Sequence, residues 1–177
     1  MGERGQLRAV DGFAFGTYLA MPTTRPRGGI VVIQDIFGVN NHIREVADGY
    51  AAAGYAALAP QIFDRVERNV EMGYEAADMT RGIEIARGKL KMEQTLLDLQ
   101  AAIDDARRFG KVGVVGYCFG GLLAWLSACD LTGVSADDTL PSIQQGMGSM
   151  NLGTAFEGVP RVRRDQLEGD RFTASGQ

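Results

Sequence analysis

Cys118 lies within Lys111-Val-Gly-Val-Val-Gly-Tyr-Cys-Phe-Gly-Gly-Leu-Leu-Ala-Trp125, a thiol bracketed by Gly116, Gly120 and Gly121. The run Val112 to Val115 predicts a short buried strand, the glycines a sharp turn with Cys118 at its tip, and the residues after it a helix. That arrangement is the cysteine form of a nucleophile elbow. Such a turn lifts the side chain off the sheet and seats it at a helix N-terminus. There the unpaired N–H groups and the helix dipole favour a thiolate and offer donors to a developing oxyanion. The same residues also fit a buried cysteine in a strand–helix packing turn, since free cysteine is commonly buried. Two further side chains bear on the chemistry: Asp35, an acid at the end of an apolar run, and His42, the one histidine of the chain.

The elements that must position these groups follow from periodicity and turn residues. Phe13 to Met21 alternates loosely and predicts a strand near a sheet edge, ended by the Pro22–Pro26 loop. Gly29 to Gln34 is a continuous β-branched run, which predicts a strand buried on both faces. Asp35 to Asn41 is the loop at its carboxyl end. Asn41 is the expected N-cap of a helix from about His42 to Ala53, with Gly54 as its stop. Tyr55 to Ala59 predicts a strand stopped by Pro60, and residues 61–75 an irregular charged connection. Helices are expected around Glu75 to Arg87 and, most clearly, over Lys91 to Phe109, where Leu96, Leu99, Ile103 and Ala106 recur at helical spacing. The Cys118 elbow and a helix to about Cys129 complete the pattern. Alternating strands and long helical crossovers predict an α/β fold, a mostly parallel sheet flanked by helices. Ligand sites in such sheets lie at the carboxyl ends of the strands, where Asp35 and Cys118 both fall.

Composition narrows the function classes. With 177 residues and 45% apolar content the chain can bury a core as one domain. A net charge of −4 argues against nucleic acid and anionic membranes as partners. No apolar run approaches the ~20 residues of a membrane span, and the N-terminus carries no apolar signal segment. Along one helix Cys118 and Cys129 stand roughly 16 Å apart, too far to pair. Free thiols without a signal segment point to the cytoplasm. Nothing in the chain suggests a metal or a cofactor.

Three blocks, Val31-Val-Ile-Gln-Asp-Ile-Phe-Gly-Val-Asn40, Gly54-Tyr-Ala-Ala-Leu-Ala-Pro60 and Gly113-Val-Val-Gly-Tyr-Cys-Phe-Gly-Gly121, occur in order. With them the chain resembles the dienelactone hydrolase family (carboxymethylenebutenolidase-like) of the α/β-hydrolase superfamily, over roughly residues 12–136. The resemblance implies that Cys118 is a nucleophile attacking a lactone or carboxylic ester carbonyl. It implies that the backbone N–H groups of Ile36 and Phe119 form the oxyanion hole. Asp35 stands where the family has a glutamate that controls the thiol's charge, one methylene shorter. The family's substrate-binding arginines do not carry over by motif. Arg65, Arg68 and Arg81 lie in a suitable region and fit solvated side chains equally well.

The superfamily order is nucleophile, acid, histidine, yet no histidine follows Cys118. His42 precedes it and reads as a solvent-facing or capping residue at a helix start. Residues 1–136 read as the N-terminal part of the family domain. Residues 137–177, rich in glycine, polar and charged residues, show no resemblance to the family's C-terminal third and read as an irregular or disordered tail. Such a tail is a substitute C-terminus from a shifted reading frame or altered gene end, or else a divergent folded replacement. Its acids Asp165, Glu168 and Asp170 could only orient a histidine. The expected fold is therefore a truncated α/β-hydrolase, with Val112–Val115 carrying an open edge prone to self-association. Three functions are carried forward: a cysteine-dependent lactone or ester hydrolase, impaired for want of a histidine after Cys118; a non-catalytic scaffold that binds a small molecule or a partner chain; and a redox-sensitive thiol protein.

Overall fold

The computed structural model describes residues 2–134. The expected tail over 137–177, with its two alternatives, lies outside the described residues. Five strands form one sheet: β1 (Glu3–Arg8), β2 (Ala14–Ala20), β3 (Gly29–Ile33), β4 (Ala56–Pro60) and β5 (Val112–Gly116). Their spatial order is β1-β2-β4-β3-β5. Strands β4, β3 and β5 run parallel, while β2 pairs antiparallel with β4 and β1 antiparallel with β2. The helices are α1 (Asn41–Ala52), α2 (Ala76–Ile83), α3 (Met92–Ala106) and α4 (Phe119–Asp130).

Strand β3 explains the layering. All five of its residues are buried, and successive side chains point to opposite faces. Ile30 and Val32 join Ile43, Val46 and Ala47 of α1 on one side of the sheet. Val31 and Ile33 join Leu99, Ala102 and Ile103 of α3 and Leu123 of α4 on the other. A run buried on both faces thus becomes the centre of a three-layer sandwich.

Several boundaries differ from expectation. The edge beyond β2 is occupied by β1, whose sequence Glu-Arg-Gly-Gln-Leu-Arg has no apolar alternation, so β2 is interior. The cap of α1 is Asn40, one residue early, with its side chain accepting from the Ile43 N–H at 3.3 Å. Pro60 ends β4 from inside the strand. The connection after it contains a 3-10 turn, Ile62–Arg65, with Ile62, Phe63 and Asp64 buried. After α2 the chain continues as a π turn, Glu84–Lys89, closed by the Leu90 N–H donating to the Ile85 carbonyl at 2.9 Å.

Strand β5 has β3 on one side. On its other side Val134 bridges Val112 in parallel orientation. Helix α4 leaves Leu122 50% and Trp125 41% exposed, an apolar outer face.

Candidate active site

The elbow is built by close backbone packing. A Cβ on Gly116 would lie 1.9 Å from the Gly120 carbonyl oxygen, and one on Gly120 would lie 2.3 Å from the Gln34 carbonyl and 2.6 Å from that of Ile33. Only glycine lets the first turn of α4 approach the end of β3 this closely. The Gly120 N–H donates to the Tyr117 carbonyl at 2.8 Å and the Gly121 N–H to that of Cys118 at 3.0 Å, closing the turn. Between them Cys118 is held at φ 53° and ψ −114°, a conformation that side-chain-bearing residues rarely adopt and that turns store as strain. Its side chain is exposed, and both cysteines are unpaired. Phe119 is the first residue of α4, where a backbone N–H has no intrahelical acceptor. Its ring lies 6.4 Å from that of Phe63 in the 3-10 turn.

Asp35 and Cys118 leave neighbouring strands at one level, because β3 and β5 are in register through Ile33 opposite Gly116. The Asp35 carboxylate does not bond the thiol here. It accepts the Phe37 N–H at 2.7 Å and so shapes its own loop. Burial pushes the Asp35 carboxyl up; the Phe37 bond and the nearby His42 charge oppose that rise.

The Ile36 loop is backed from behind. A Cβ on Gly82 of α2 would sit 2.2 Å from the Ile36 carbonyl. The Met72 N–H donates to the Phe37 carbonyl at 2.9 Å, the Asn40 amide to the Met72 carbonyl at 3.1 Å, and the Phe37 and Tyr74 rings meet edge to face at 4.7 Å. Helix α2 and residues 70–74 thus fix the loop that carries Ile36.

The three arginines considered for substrate binding are committed elsewhere. Arg65, 7% exposed at its side chain, pairs with the fully buried Asp98 and with Asp11. Arg68 donates to the Ala14 carbonyl and to Asp64, and Arg81 pairs with Glu67. Their positions next to acids of other segments, which sequence spacing does not reveal, account for this.

His42 also differs from expectation. It is half-buried, and its ring stands edge-on to that of Tyr117, with centroids 6.5 Å apart. Asn40 does the capping, which frees His42 to turn toward the elbow. Two residues escaped sequence reasoning altogether. Tyr117 lies beside Tyr50 of α1, and burial pushes both phenols up. Gln34 is fully buried with its Nε2 donating to the Asp35 carbonyl at 3.3 Å, and its Oε1 accepts no hydrogen bond among the described residues. Gln34 and Tyr117 adjoin Asp35 and Cys118, and that adjacency was the signal available. No group of three His, Cys, Asp or Glu side chains among the described residues is arranged to hold a metal ion. Among them no helix is long and apolar enough to cross a membrane.

A mixed sheet with parallel central strands and an elbow between β5 and α4 defines an α/β-hydrolase fold. Residues 15–137 match the dienelactone hydrolase family, and the chain belongs to that family. Carboxymethylenebutenolidase of Pseudomonas putida is 37% identical over 139 residues, covering 69% of this chain and 53% of its own. Carboxymethylenebutenolidase 1 of Cupriavidus pinatubonensis is 34% identical over 125 residues, covering 68% and 53%. A solved dienelactone-hydrolase-like structure from Klebsiella pneumoniae matches with a TM-score of 0.57 at 28% identity, covering 72% of this chain and 55% of that one. The chain spans about half the length of the curated relatives it matches.

Proposed function

We propose that this chain acts on lactones or carboxylic esters through Cys118, by acyl transfer to sulfur. The observation that carries this reading is the exposed Cys118 held at positive φ immediately before the first turn of α4. The thiolate sulfur attacks the carbonyl carbon, and the oxyanion that forms is received by the Phe119 and Ile36 N–H groups. Collapse of the tetrahedral intermediate expels the alkoxide, which takes a proton from solvent and leaves a thioester on Cys118. Water then attacks the thioester, releasing the carboxylic acid, regenerating thiolate and returning one proton to solvent. Asp35 is assigned the control of the thiol's charge, exerted through the electrostatics of the loop it shapes. Protonating the leaving group and activating water call for a general acid and base, worth about 10²–10⁴-fold. His42 is the sole histidine, so deacylation is the slow step. Residues 1–136 are taken as the family portion. Residence in the cytoplasm is part of the same reading, supported by two unpaired cysteines.

The test is a pre-steady-state assay of the 177-residue chain with an activated aryl ester. The expected result is a burst of phenol of up to about one equivalent followed by slow release, as for covalent acyl-enzymes generally. Cys118→Ala should remove the burst while circular dichroism stays unchanged. A burst that survives in the alanine variant would remove Cys118 from the chemistry.

A second reading, a scaffold that pairs with another chain, is favoured by the outer face of α4. A helix apolar on all sides normally lies inside a larger assembly. Leu122 and Trp125 lie on its exposed side. Self-association there would show in analytical ultracentrifugation as a dimer that Trp125→Glu converts to monomer. A concentration-independent monomer in the parent chain would reject it.

A further inference from the structure

We propose that Gln34 is a positioning residue of the oxyanion hole, its side-chain amide aiming the Ile36 N–H at the oxyanion. The inference rests on Cys118 being the nucleophile, with Ile36 and Phe119 as the oxyanion donors. Gln34 Nε2 donates to the Asp35 carbonyl at 3.3 Å. That carbonyl and the Ile36 N–H are the two ends of one planar, trans peptide unit, so they point in opposite directions. A group that fixes the carbonyl therefore fixes the direction of the N–H, without touching a substrate. The next peptide is held separately, by the Asp35 carboxylate accepting the Phe37 N–H at 2.7 Å and by Gly82 packed against the Ile36 carbonyl. The main chain of Gln34 reaches toward the other donor. Its carbonyl oxygen lies 2.3 Å from where a Cβ on Gly120 would stand, in the first turn of α4, which Phe119 opens. Gln34 thus adjoins both halves of the hole, one through its side chain and one through its backbone.

Core packing does not ask for an amide here. Gln34 follows directly on the buried strand Gly29–Ile33 and is itself fully buried, a position at which an apolar side chain would add to the core. Its Oε1 accepts no hydrogen bond among the described residues, and a buried acceptor without a partner is destabilising. Where a residue breaks the local rule beside a candidate site, the site is the expected reason. The half of the amide that has a partner is the half that grips the Asp35 carbonyl.

The experiment compares two reactions of Cys118 in the full chain at one pH: the burst of phenol from an activated aryl ester, and peptide-resolved alkylation by iodoacetamide. Attack on the ester puts negative charge on an oxygen and draws on the hole. Alkylation displaces iodide from a carbon atom and builds no oxyanion, so it reads the thiol alone. Gln34→Met and Gln34→Leu both remove the Nε2 donor and the unpartnered Oε1 and keep an apolar side chain in the same space. Each should lower the burst rate about 10- to 100-fold, no more than the loss of a whole oxyanion donor, and leave alkylation of Cys118 unchanged. Neither should lower the urea midpoint, because each deletes a buried acceptor that has no partner among the described residues. Urea unfolding identifies a variant that fails to fold, and the other variant then decides. A ratio of burst rate to alkylation rate equal to that of the parent overturns the proposal, whether both rates hold or both fall together. A parent chain with no burst, or a burst that survives Cys118→Ala, overturns it together with the nucleophile reading. A burst that depends on Cys118 and is indifferent to both Gln34 variants overturns the Gln34 assignment and leaves the nucleophile in place.

Discussion

Gly120→Ala slows acylation by about 10²-fold or more, the cost of displacing a reacting group by ~1 Å. The added methyl lands 2.3 Å from the Gln34 carbonyl oxygen and 2.6 Å from that of Ile33. Both are backbone atoms at the end of the central strand, so neither can swing aside. Helix α4 must move instead, carrying with it the Phe119 N–H and the turn that sets Cys118. Overpacking of this kind costs about 1–3 kcal/mol, little enough for the chain to stay folded. The loss therefore falls on reactivity more than on stability. Burst kinetics and Cys118 alkylation read the first, and urea unfolding reads the second. Gly49→Ala serves as the control: a methyl added at this glycine of α1 would meet nothing within 4 Å, and alanine is the better helix former. A Gly120→Ala chain that acylates at the parent rate would show that the approach of α4 to β3 does not position the nucleophile.

Asp98→Ala lowers the unfolding free energy by about 3–5 kcal/mol, because it strands a buried cation. Asp98 is fully buried in α3. It receives the Arg65 guanidinium through two parallel bonds, from Nε at 2.8 Å and from a terminal nitrogen at 2.7 Å. The fork binds a planar carboxylate in two places, and donating to Asp98 holds the guanidinium firmly protonated. Asp11 contributes two further contacts from the surface side, at 2.8 and 3.2 Å, and the Phe13 ring stacks 4.4 Å from the Arg65 carbon. Once Asp98 is gone, a side chain only 7% exposed must keep its charge with Asp11 alone. Single domains have about 5–15 kcal/mol in total, so the change should appear as a large drop in the urea midpoint. Asp98→Asn, which keeps the shape and loses the charge, should fall between the two. A midpoint within error of the parent would show that the pair is not what holds the 3-10 turn on α3.

Much of the fold was legible because side-chain pattern and position agree at its centre. The β-branched run of β3 could be buried on both faces only by helices above and below. The spacing of Leu99, Ile103 and Ala106 could put only one face of α3 on the sheet. Strand β1 was illegible for the opposite reason. Its side chains are mostly exposed, and it is held by backbone bonds to β2, which leave no trace in residue type. The π turn after α2 escaped for a similar cause: one extra residue in a turn shifts the hydrogen-bond pattern without breaking helical composition. Asp98 sat in plain view on the buried stripe of α3, three residues after Thr95 and four before Ala102. An acid at that position announces a partner without saying which one.

At the site the same division holds. Residue order by itself determined that a thiol stands on a glycine-flanked turn between a strand and a helix, since each of those features is a local consequence of backbone sterics. It also determined that Asp35 opens the loop at the carboxyl end of its strand, the same end of the sheet at which Cys118 falls. Only the tertiary structure decided that the Asp35 carboxylate spends its hydrogen bond on Phe37, that Arg65 is locked to Asp98, and that His42 and Tyr50 reach from one helix to the residue before the nucleophile. Those are contacts between segments brought together by folding. They are set by how α1, α2 and α3 pack on the sheet, and spacing along the sequence carries no record of which way each side chain turns once they have packed.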